Sequence, residues 1–501
     1  MTSTFHGLEV ARRALSAQQT ALYTTSHNIS NANTEGYTRQ RVNFEQISTL
    51  TTSRYTEGVK SEIGSGVEEG SIQRIRDRFI DKQFRAENGK LGYYEQRADA
   101  LKQVEDLLNE PSDEGLAKVM DQFYGSLQDL ATNPEDDGAR SVVAQRGLGV
   151  ADALNYLNTS LNKVRDDLKY QTDVMQKDMN SVIKQINDVN KEIKGLEPHG
   201  HVPNDLYDER DRLLDELSSM ADIDVSYQDS DGNPSSIAEG IATVTLKDAG
   251  TPVTLVNGQD GSVNLLEVQY DGDNNVNNLQ FTNSEDGTIT NIAANDFESQ
   301  GEMKGLIEMN GYVDGGGDTV GYFNQIISDI DTMAQEFATA FNTVHQGGTD
   351  LNGDAGIDFF QFDPTSPAGT LTVNQTIIDD PNLIAASQNG DAGDNGNAVD
   401  LSHVFDEELG GLGDKSTRGF YESMIGDLGV VTQEANRMVT NAMTLRQQVE
   451  ENRQSVSAVS LDEEMTNMIK FQHAYNAAAR SMTTIDETLD RIINNMGLVG
   501  R

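Results

Sequence analysis

Residues 154–196, LNYLNTSLNKVRDDLKYQTDVMQKDMNSVIKQINDVNKEIKGL, place Leu154, Leu161, Leu168, Met175, Val182, Val189 and Leu196 seven residues apart. Leu157, Val164, Met179, Ile186 and Ile193 fill the same face. A stripe of this period marks a helix buried along one side. It predicts one long helix over 151–197, stopped by Gly195 and by Pro198, whose ring has no amide hydrogen to continue the ladder. A second helix is expected from Asn204 as N-cap, with Leu206, Leu213 and Leu217 inward. Upstream, 93–132 reads as two shorter helices divided at Glu110-Pro111-Ser112. Downstream, 319–345 and 417–458 read as helical. The middle of the chain is therefore a bundle of helices.

Both ends carry their own apolar stripes. Leu8, Leu15, Leu22 and Ile29 recur every seventh residue, with Ala11, Gln18 and Thr25 between them. This is a heptad seam whose second position turns polar. It ends in Ser30-Asn31-Ala32-Asn33-Thr34-Glu35-Gly36-Tyr37, a run that should reverse or kink the chain, because Asn and Gly tolerate positive φ. At the other end Met465, Met468, Gln472, Tyr475, Ala479, Met482, Leu489, Ile493 and Met496 follow steps of three and four, with Asp486 as an interruption. Leu461-Asp462-Glu463-Glu464 opens that helix with carboxylates in its first turn, where the helix dipole favours them. Neither stripe can be satisfied alone.

Residues 222–303 change character. Short runs such as Ile223-Asp224-Val225, Val253-Thr254-Leu255-Val256 and Val263-Asn264-Leu265-Leu266 alternate with Gly, Asp and Asn clusters, the pattern of short strands and turns. Lys247 is the one basic residue there, against 15 carboxylates. We read a small, exposed β domain inserted into a helical body, expendable because the apolar seams lie elsewhere. Residues 346–415 are a second loop-rich stretch. The fold class is mainly α with an inserted β domain.

Composition narrows the function. The 501 residues hold 81 acidic and 37 basic side chains, for a net charge of −44, and no Cys. That length implies two to four domains. Such a charge argues against nucleic acid as a partner. Zero Cys excludes disulfides, thiolate metal sites and a cysteine nucleophile. No apolar run approaches the roughly 20 residues of a membrane helix, and the N-terminus lacks the marks of a cleaved secretory signal. The charge is uneven. Residues 1–100 net +1 and residues 201–420 net −34, with no Lys or Arg between Lys304 and Lys415. A salt-adapted proteome would load every surface with carboxylates, but it would not spare the ends. The nearly neutral ends suit contact with copies of themselves.

Here the residues carry a family resemblance. Ser30–Tyr37 resembles the N-terminal signature of bacterial flagellar rod, hook and hook-associated proteins, in which Asn31, Asn33, Gly36 and Tyr37 are the signature positions. Val459-Ser460-Leu461-Asp462-Glu463-Glu464-Met465, with the helix that follows, is similar to the C-terminal signature of the hook-associated members, at Leu461, Asp462, Glu463 and Glu464. Leu108-Asn109-Glu110-Pro111-Ser112, Ala131-Thr132-Asn133-Pro134-Glu135, Asp208-Glu209-Arg210-Asp211, and Phe341-Asn342-Thr343-Val344-His345 followed by Phe359-Phe360 narrow the resemblance to the members that join hook to filament. It covers residues 1–220 and 305–501.

The resemblance implies terminal helices paired into a coiled-coil-like inner layer (1–45 and 455–501), a helical-bundle middle domain (46–221 and 304–454) and a small outer β domain (222–303). It implies a structural axial protein, secreted through the flagellar type III export apparatus with an export chaperone. Its partners would be itself in a ring, the hook protein and the second hook–filament junction protein. The candidate assembly interface is Leu8, Leu15, Leu22, Ile29, Met465, Met468, Tyr475, Met482, Leu489 and Ile493. Ordering these helices costs entropy that burial by neighbouring subunits must offset.

No catalytic constellation competes with that reading. HExxH, a Gly-x-Ser-x-Gly elbow and a Walker loop are all missing, and no cofactor is expected. His199-Gly200-His201 has alternate spacing but reads as a solvated turn. Asp350-Leu351-Asn352-Gly353-Asp354-Ala355-Gly356-Ile357-Asp358 alternates side-chain oxygens as a calcium loop does. An EF-hand, however, wants Gly sixth and Glu twelfth, where this chain has Ala355 and Gln361. The plainer reading is a turn that sets Phe359 and Phe360 against the helical body. Two alternative functions are another flagellar axial protein of the hook or rod type, and an outer adhesin or glycan binder using Tyr270, Phe281 and Phe297, which fit a small β core better.

Overall fold

A computed structural model describes residues 5–47, 66–108, 115–247 and 252–495. The chain opens with α1 (His6–Ser30) and a hairpin of β1 (Gln40–Gln46) and β2 (Val67–Arg74). The helical body follows as α2 (Arg78–Leu108), α3 (Leu116–Thr132), α4 (Asp137–Leu196) and α5 (Asn204–Met220). Strands β3 (Ile223–Gln228), β4 (Ile241–Leu246), β5 (Val253–Val256), β6 (Asn264–Tyr270), β7 (Val276–Asn283) and β8 (Ile289–Ala293) lead to α6 (Glu302–Asn310). Then come β9 (Tyr312–Val313), β10 (Thr319–Val320) and α7 (Tyr322–Gly347). The loop-rich stretch holds β11 (Phe360–Gln361), α8 (Pro367–Thr370), β12 (Thr372–Val373), α9 (Gln375–Asp379) and α10 (Gly396–His403). The chain closes with α11 (Thr417–Ser457) and α12 (Leu461–Asn495).

Helix α4 is the spine. It starts earlier than its stripe suggests, because Asp136 caps it by accepting from the amides of Gly138 and Ala139. Its 60 residues span about 90 Å at 1.5 Å per residue. A seven-residue repeat drifts about 20° per heptad on a straight helix, so one line of sevenths cannot stay buried along this length. Leu154, Leu161 and Leu168 are buried in one core, Met179, Val182 and Ile186 in another, and Leu196 ends 40% exposed. Asn204, expected as the N-cap of α5, is instead its first residue and is buried, donating to the carbonyl of Ile72 at 3.1 Å. The division expected at Glu110-Pro111-Ser112 falls between α2 and α3, on residues outside those described.

The first core gathers α2, α3, the first half of α4, α7, α10 and α11. Phe123 lies at its centre, 5.4 Å from Phe341, 5.9 Å from Phe359, 6.0 Å from Phe360 and 5.6 Å from Phe405 between ring centroids. The Phe341–His345 motif clips the loop onto this core. Asn342 Oδ1 accepts from the amides of Phe359 and Phe360, both at 2.9 Å. His345 is buried between the carbonyl of Ile357, 2.6 Å from Nδ1, and the amide of Ala385, which donates to Nε2 at 3.0 Å. That pairing fixes a neutral ring protonated on Nδ1, and burial pushes its pKa down to about 4. The unfolded ring takes its proton near 6.5. Stability from this group is therefore complete above about pH 6.5 and falls as pH drops towards 4, by about 3 kcal/mol in all. Unfolding midpoints measured across that range should show the slope, and His345→Gln should flatten it.

The second core corrects the expectation of a small, exposed β domain. Strands β3-β4-β5 form one antiparallel sheet, and β6, β7 and β8 form another that continues through β9 to β10, past the expected boundary at 303. Alternation along the strands turns one face inward. Val244, Leu246, Leu266, Val268, Leu279 and Phe281 are buried together with Met179, Val182, Ile183 and Ile186 of α4 and Leu213, Leu214 and Leu217 of α5. Of the region's carboxylates only Asp224 and Glu267 lie within these strands; the others lie outside them, mostly in the connecting segments. Phe281 and Phe297 are buried and Tyr270 is half-buried, so the three form no exposed aromatic platform. Removing residues 222–303 would strip the cover from the second half of α4. The deletion should lose cooperative unfolding and helical signal in that half; a deletant with the parent's stability would refute the shared core.

Candidate assembly interface

Helices α1 and α12 pack against each other, and α1 also lies on the β1-β2 hairpin. Asn28 of α1 meets Glu464 of α12, and Gly7 faces Ile485, whose Cδ1 is 3.2 Å from where a Cβ on Gly7 would stand. Twenty-one residues separate the two contacts on each helix, so the pair runs antiparallel in a single register. The face of α12 turned inward is Glu464, Met468, Phe471, Tyr475, Ala478, Met482, Ile485 and Leu489, all buried or half-buried. Met468, Tyr475, Met482 and Leu489 of the expected stripe belong to it. Met465 and Ile493 do not; they are 57% and 69% exposed. The stripe departs from the inward face at Met465 and Gln472, which stand next to the inward Glu464 and Phe471, and it passes over Ile485 beside Asp486. Met496 lies outside the described residues.

On α1 the buried positions are Ala11, Ala17, Ala21, Thr24, Thr25 and Asn28, while Leu8, Leu15, Leu22 and Ile29 are half-buried along the flank. Small residues let the two helices approach closely. The half-buried Leu line, with exposed Phe5, Tyr23, Leu461, Met465, Ile469 and Ile493, leaves the pair with apolar surface still in water.

The signature turn ties this pair to the body. Asn31 Nδ2 donates back to the carbonyl of His27 at 3.1 Å, closing α1. Asn33 is exposed at the tip. Gly36 takes φ +78 against the side chain of Arg212. Tyr37 donates its hydroxyl to Asn28 Oδ1 at 2.8 Å, and burial raises its pKa. Asn28 is fully used: its Oδ1 also accepts from the amide of Gln40, and its Nδ2 donates to the Gln40 carbonyl and to Glu464. Arg39 reaches Glu463 at 2.7 Å and Glu464 at 2.8 Å. Asp462 and Leu461 stay exposed at the start of α12.

Behind the turn is a buried charge cluster. Asp208 accepts from the Thr38 amide at 3.1 Å and from Arg74 at 2.7 Å. Asp211 receives Arg74 at 3.0 Å, Arg76 at 3.4 Å and Arg85 at 3.3 Å. Arg85 and Arg453 meet on Asp215, and Arg74 and Arg210 meet on Glu239. Burial alone would raise the Asp211 carboxyl, but the charges of Arg76, Arg74, Arg85 and Arg210 outweigh it and hold the pKa far below the ordinary value. One cluster thus joins the hairpin, α2, α5, the loop before β4 and α11. Asp208, Arg210 and Asp211 were quoted above for resemblance alone; Arg74, Arg76, Arg85 and Arg453 carried no sequence signal beyond being arginines in an acidic chain.

The other candidates do not form sites. Asp350 accepts from the amides of Asn352 at 2.8 Å and Asp354 at 2.9 Å, holding its own loop. Among the described residues no group of three or more His, Asp or Glu is placed to hold a metal ion, and no helix is long and apolar enough to cross a membrane. His199 and His201 are exposed.

Comparison with known proteins fits the geometry. Residues 101–360 match the family described as the flagellar hook-associated protein FlgK helical domain. Flagellar hook-associated protein 1 of Bacillus subtilis is 45% identical over 512 residues, covering 100% of both chains. The chain belongs to the flagellar hook-associated protein 1 family. The Escherichia coli hook-associated protein 1 is 26% identical, over 97% of this chain and 98% of its own. The flagellar hook junction protein FlgK of Burkholderia pseudomallei shares the fold, with a TM-score of 0.60 over 75% of this chain and 100% of its own at 14% identity. Residues 8–38 match the family described as flagella basal body rod protein, and residues 450–496 match the flagellar basal body rod FlgEFG protein C-terminal. Those two segments hold the helices that pair. This hook-associated protein 1 relative is a structural, axial component of the flagellum, mainly α with an inserted β region.

Proposed function

We propose that the chain forms the junction between hook and filament, with α1 and α12 as its inner layer, the helical body around them and the strand-rich region of 222–303 pointing outward. The observation that carries the reading is the apolar surface left on the paired terminal helices: exposed Phe5, Tyr23, Leu461, Met465, Ile469 and Ile493 beside the half-buried Leu8, Leu15, Leu22 and Ile29. Large apolar side chains left in water call for cover, and copies of the chain in a ring supply it on one side while hook protein and the second junction protein bound the ring above and below. Before assembly an export chaperone covers the α12 face, and the type III apparatus delivers the chain to the outside of the cell. The role is structural, with neither catalysis, nucleic acid nor membrane insertion. Deleting the gene and examining cells by electron microscopy tests it. Hooks should remain, filaments should be lost, and flagellin should accumulate in the medium; filaments on normal hooks in the deletant would end the reading.

A further inference from the structure

The apolar side chains of α12 recur every seven residues along its inward face, Met468, Tyr475, Met482 and Leu489 in one line and Phe471, Ala478 and Ile485 in another. On α1 the buried positions that meet them are mostly small, Ala11, Ala17, Ala21, Thr24 and Thr25, as far as Asn28. Opposite them, Met468, Phe471, Tyr475, Ala478, Met482, Ile485 and Leu489 offer apolar or small side chains at every step. A slide of α12 by one heptad, about 10 Å at 1.5 Å per residue, would still lay apolar side chains on mostly small ones. Hydrophobic burial is non-directional and does not choose between such registers.

One seam position breaks the degeneracy. Glu464 lies four residues before Met468 on the inward face, yet its side chain is 3% exposed and charged. Both carboxylate oxygens are engaged. Oε1 accepts from Arg39 Nε at 2.8 Å, and Oε2 accepts from Asn28 Nδ2 at 3.1 Å. Arg39 and Asn28 are themselves held, Arg39 through its amide on the Ser457 carbonyl and Asn28 through Tyr37 and Gln40. Slid one heptad towards the start of α1, the carboxylate would face Ala21 without these donors, the situation a protein avoids most strongly; slid the other way, it would leave them for the turn beyond Ser30. A lone polar residue in an apolar seam is a known way to specify register at some expense in stability.

We propose that Glu464, received by Asn28 and Arg39, is the positioning residue that sets the register of the two terminal helices. It makes the antiparallel alignment unique and places the remaining exposed apolar residues where a neighbouring subunit must find them. The inference concerns the pair within one chain and stands apart from the junction reading.

The absence of native Cys permits a direct test in the full-length chain. Three double variants report register on oxidation: Gly7→Cys with Ile485→Cys reads the observed alignment, and Gly7→Cys with Ala478→Cys or with Ile492→Cys reads a slip of one heptad either way. With Glu464 present, only the 7–485 bridge should form. Glu464→Leu should keep the helical signal by circular dichroism, raise resistance to denaturant and increase the two slipped bridges several-fold. Glu464→Gln, whose amide oxygen still accepts from Asn28, should keep the parent pattern. The proposal is overturned if Glu464→Leu forms the 7–485 bridge exclusively. Loss of all three bridges in Glu464→Leu also overturns it, because the residue would then be holding the pair together rather than choosing its alignment. A parent chain that fails to form the 7–485 bridge overturns it as well.

Discussion

Replacing Asp211 with Asn should destabilise the folded body by about 3–5 kcal/mol, the usual cost of removing one partner from a buried ion pair. The substitution is nearly isosteric, so packing changes little while the charge disappears. Arg74, Arg76 and Arg85 all converge on that carboxylate, and the side chains of Arg74 and Arg85 are only 2% and 8% exposed. Each would then lose an ion-pair partner inside the joint of the hairpin, α2 and α5. Denaturant titration read by circular dichroism measures the effect. A shift below 1 kcal/mol would mean that water reaches the cluster and screens it. The matched variant Glu209→Gln, on an exposed pair with Arg212, should change stability by no more than about 0.5 kcal/mol.

Leu489→Asp should leave the body intact and abolish assembly. Leu489 is 8% exposed near the far end of the inner seam, four residues beyond Ile485. A carboxylate there costs about 3 kcal/mol in pairing, enough to disfavour the inner pair by roughly a hundredfold at 1.4 kcal/mol per decade. Neither core of the body contains that residue, so cooperative unfolding of the body should be unchanged. In cells the variant should appear in the medium while hooks carry no filaments. Gln73→Ala, at an exposed strand position, should behave as the parent. Normal incorporation of Leu489→Asp would show that the seam is not what assembly needs.

The helices were legible because their period survives in the residues: α7 and α11 follow the expected stretches, and α4 ends where expected after an earlier start. Phase was harder. In α12 the true seam begins at Glu464, and counting hydrophobes favours Met465 over it because a buried carboxylate is improbable until Asn28 and Arg39 stand beside it. The β region misled through composition. Fifteen carboxylates and one Lys say that a surface is wet, but only Asp224 and Glu267 of the fifteen lie within strands β3 to β8, and the alternation of the strands themselves turns an apolar face inward. The hairpin of β1 and β2 and the arginine cluster left no local trace, because Arg74, Asp211 and Arg453 lie hundreds of positions apart along the chain. Arginines are scarce here, with 37 basic residues against 81 acidic ones.

The bond between Asn28 and Glu464 joins residues 436 positions apart, which orders events in time. Contacts between such distant segments are slow to form because a long loop must close first. The body shortens that search. Once α2 and α11 have packed, the Arg39 amide meets the Ser457 carbonyl, and the two ends emerge side by side with only a few residues left to join. The last helix to be made therefore completes the first, and a chain still missing its final segment has no partner for α1. Closure comes late by construction, so half-finished chains are poor at polymerising.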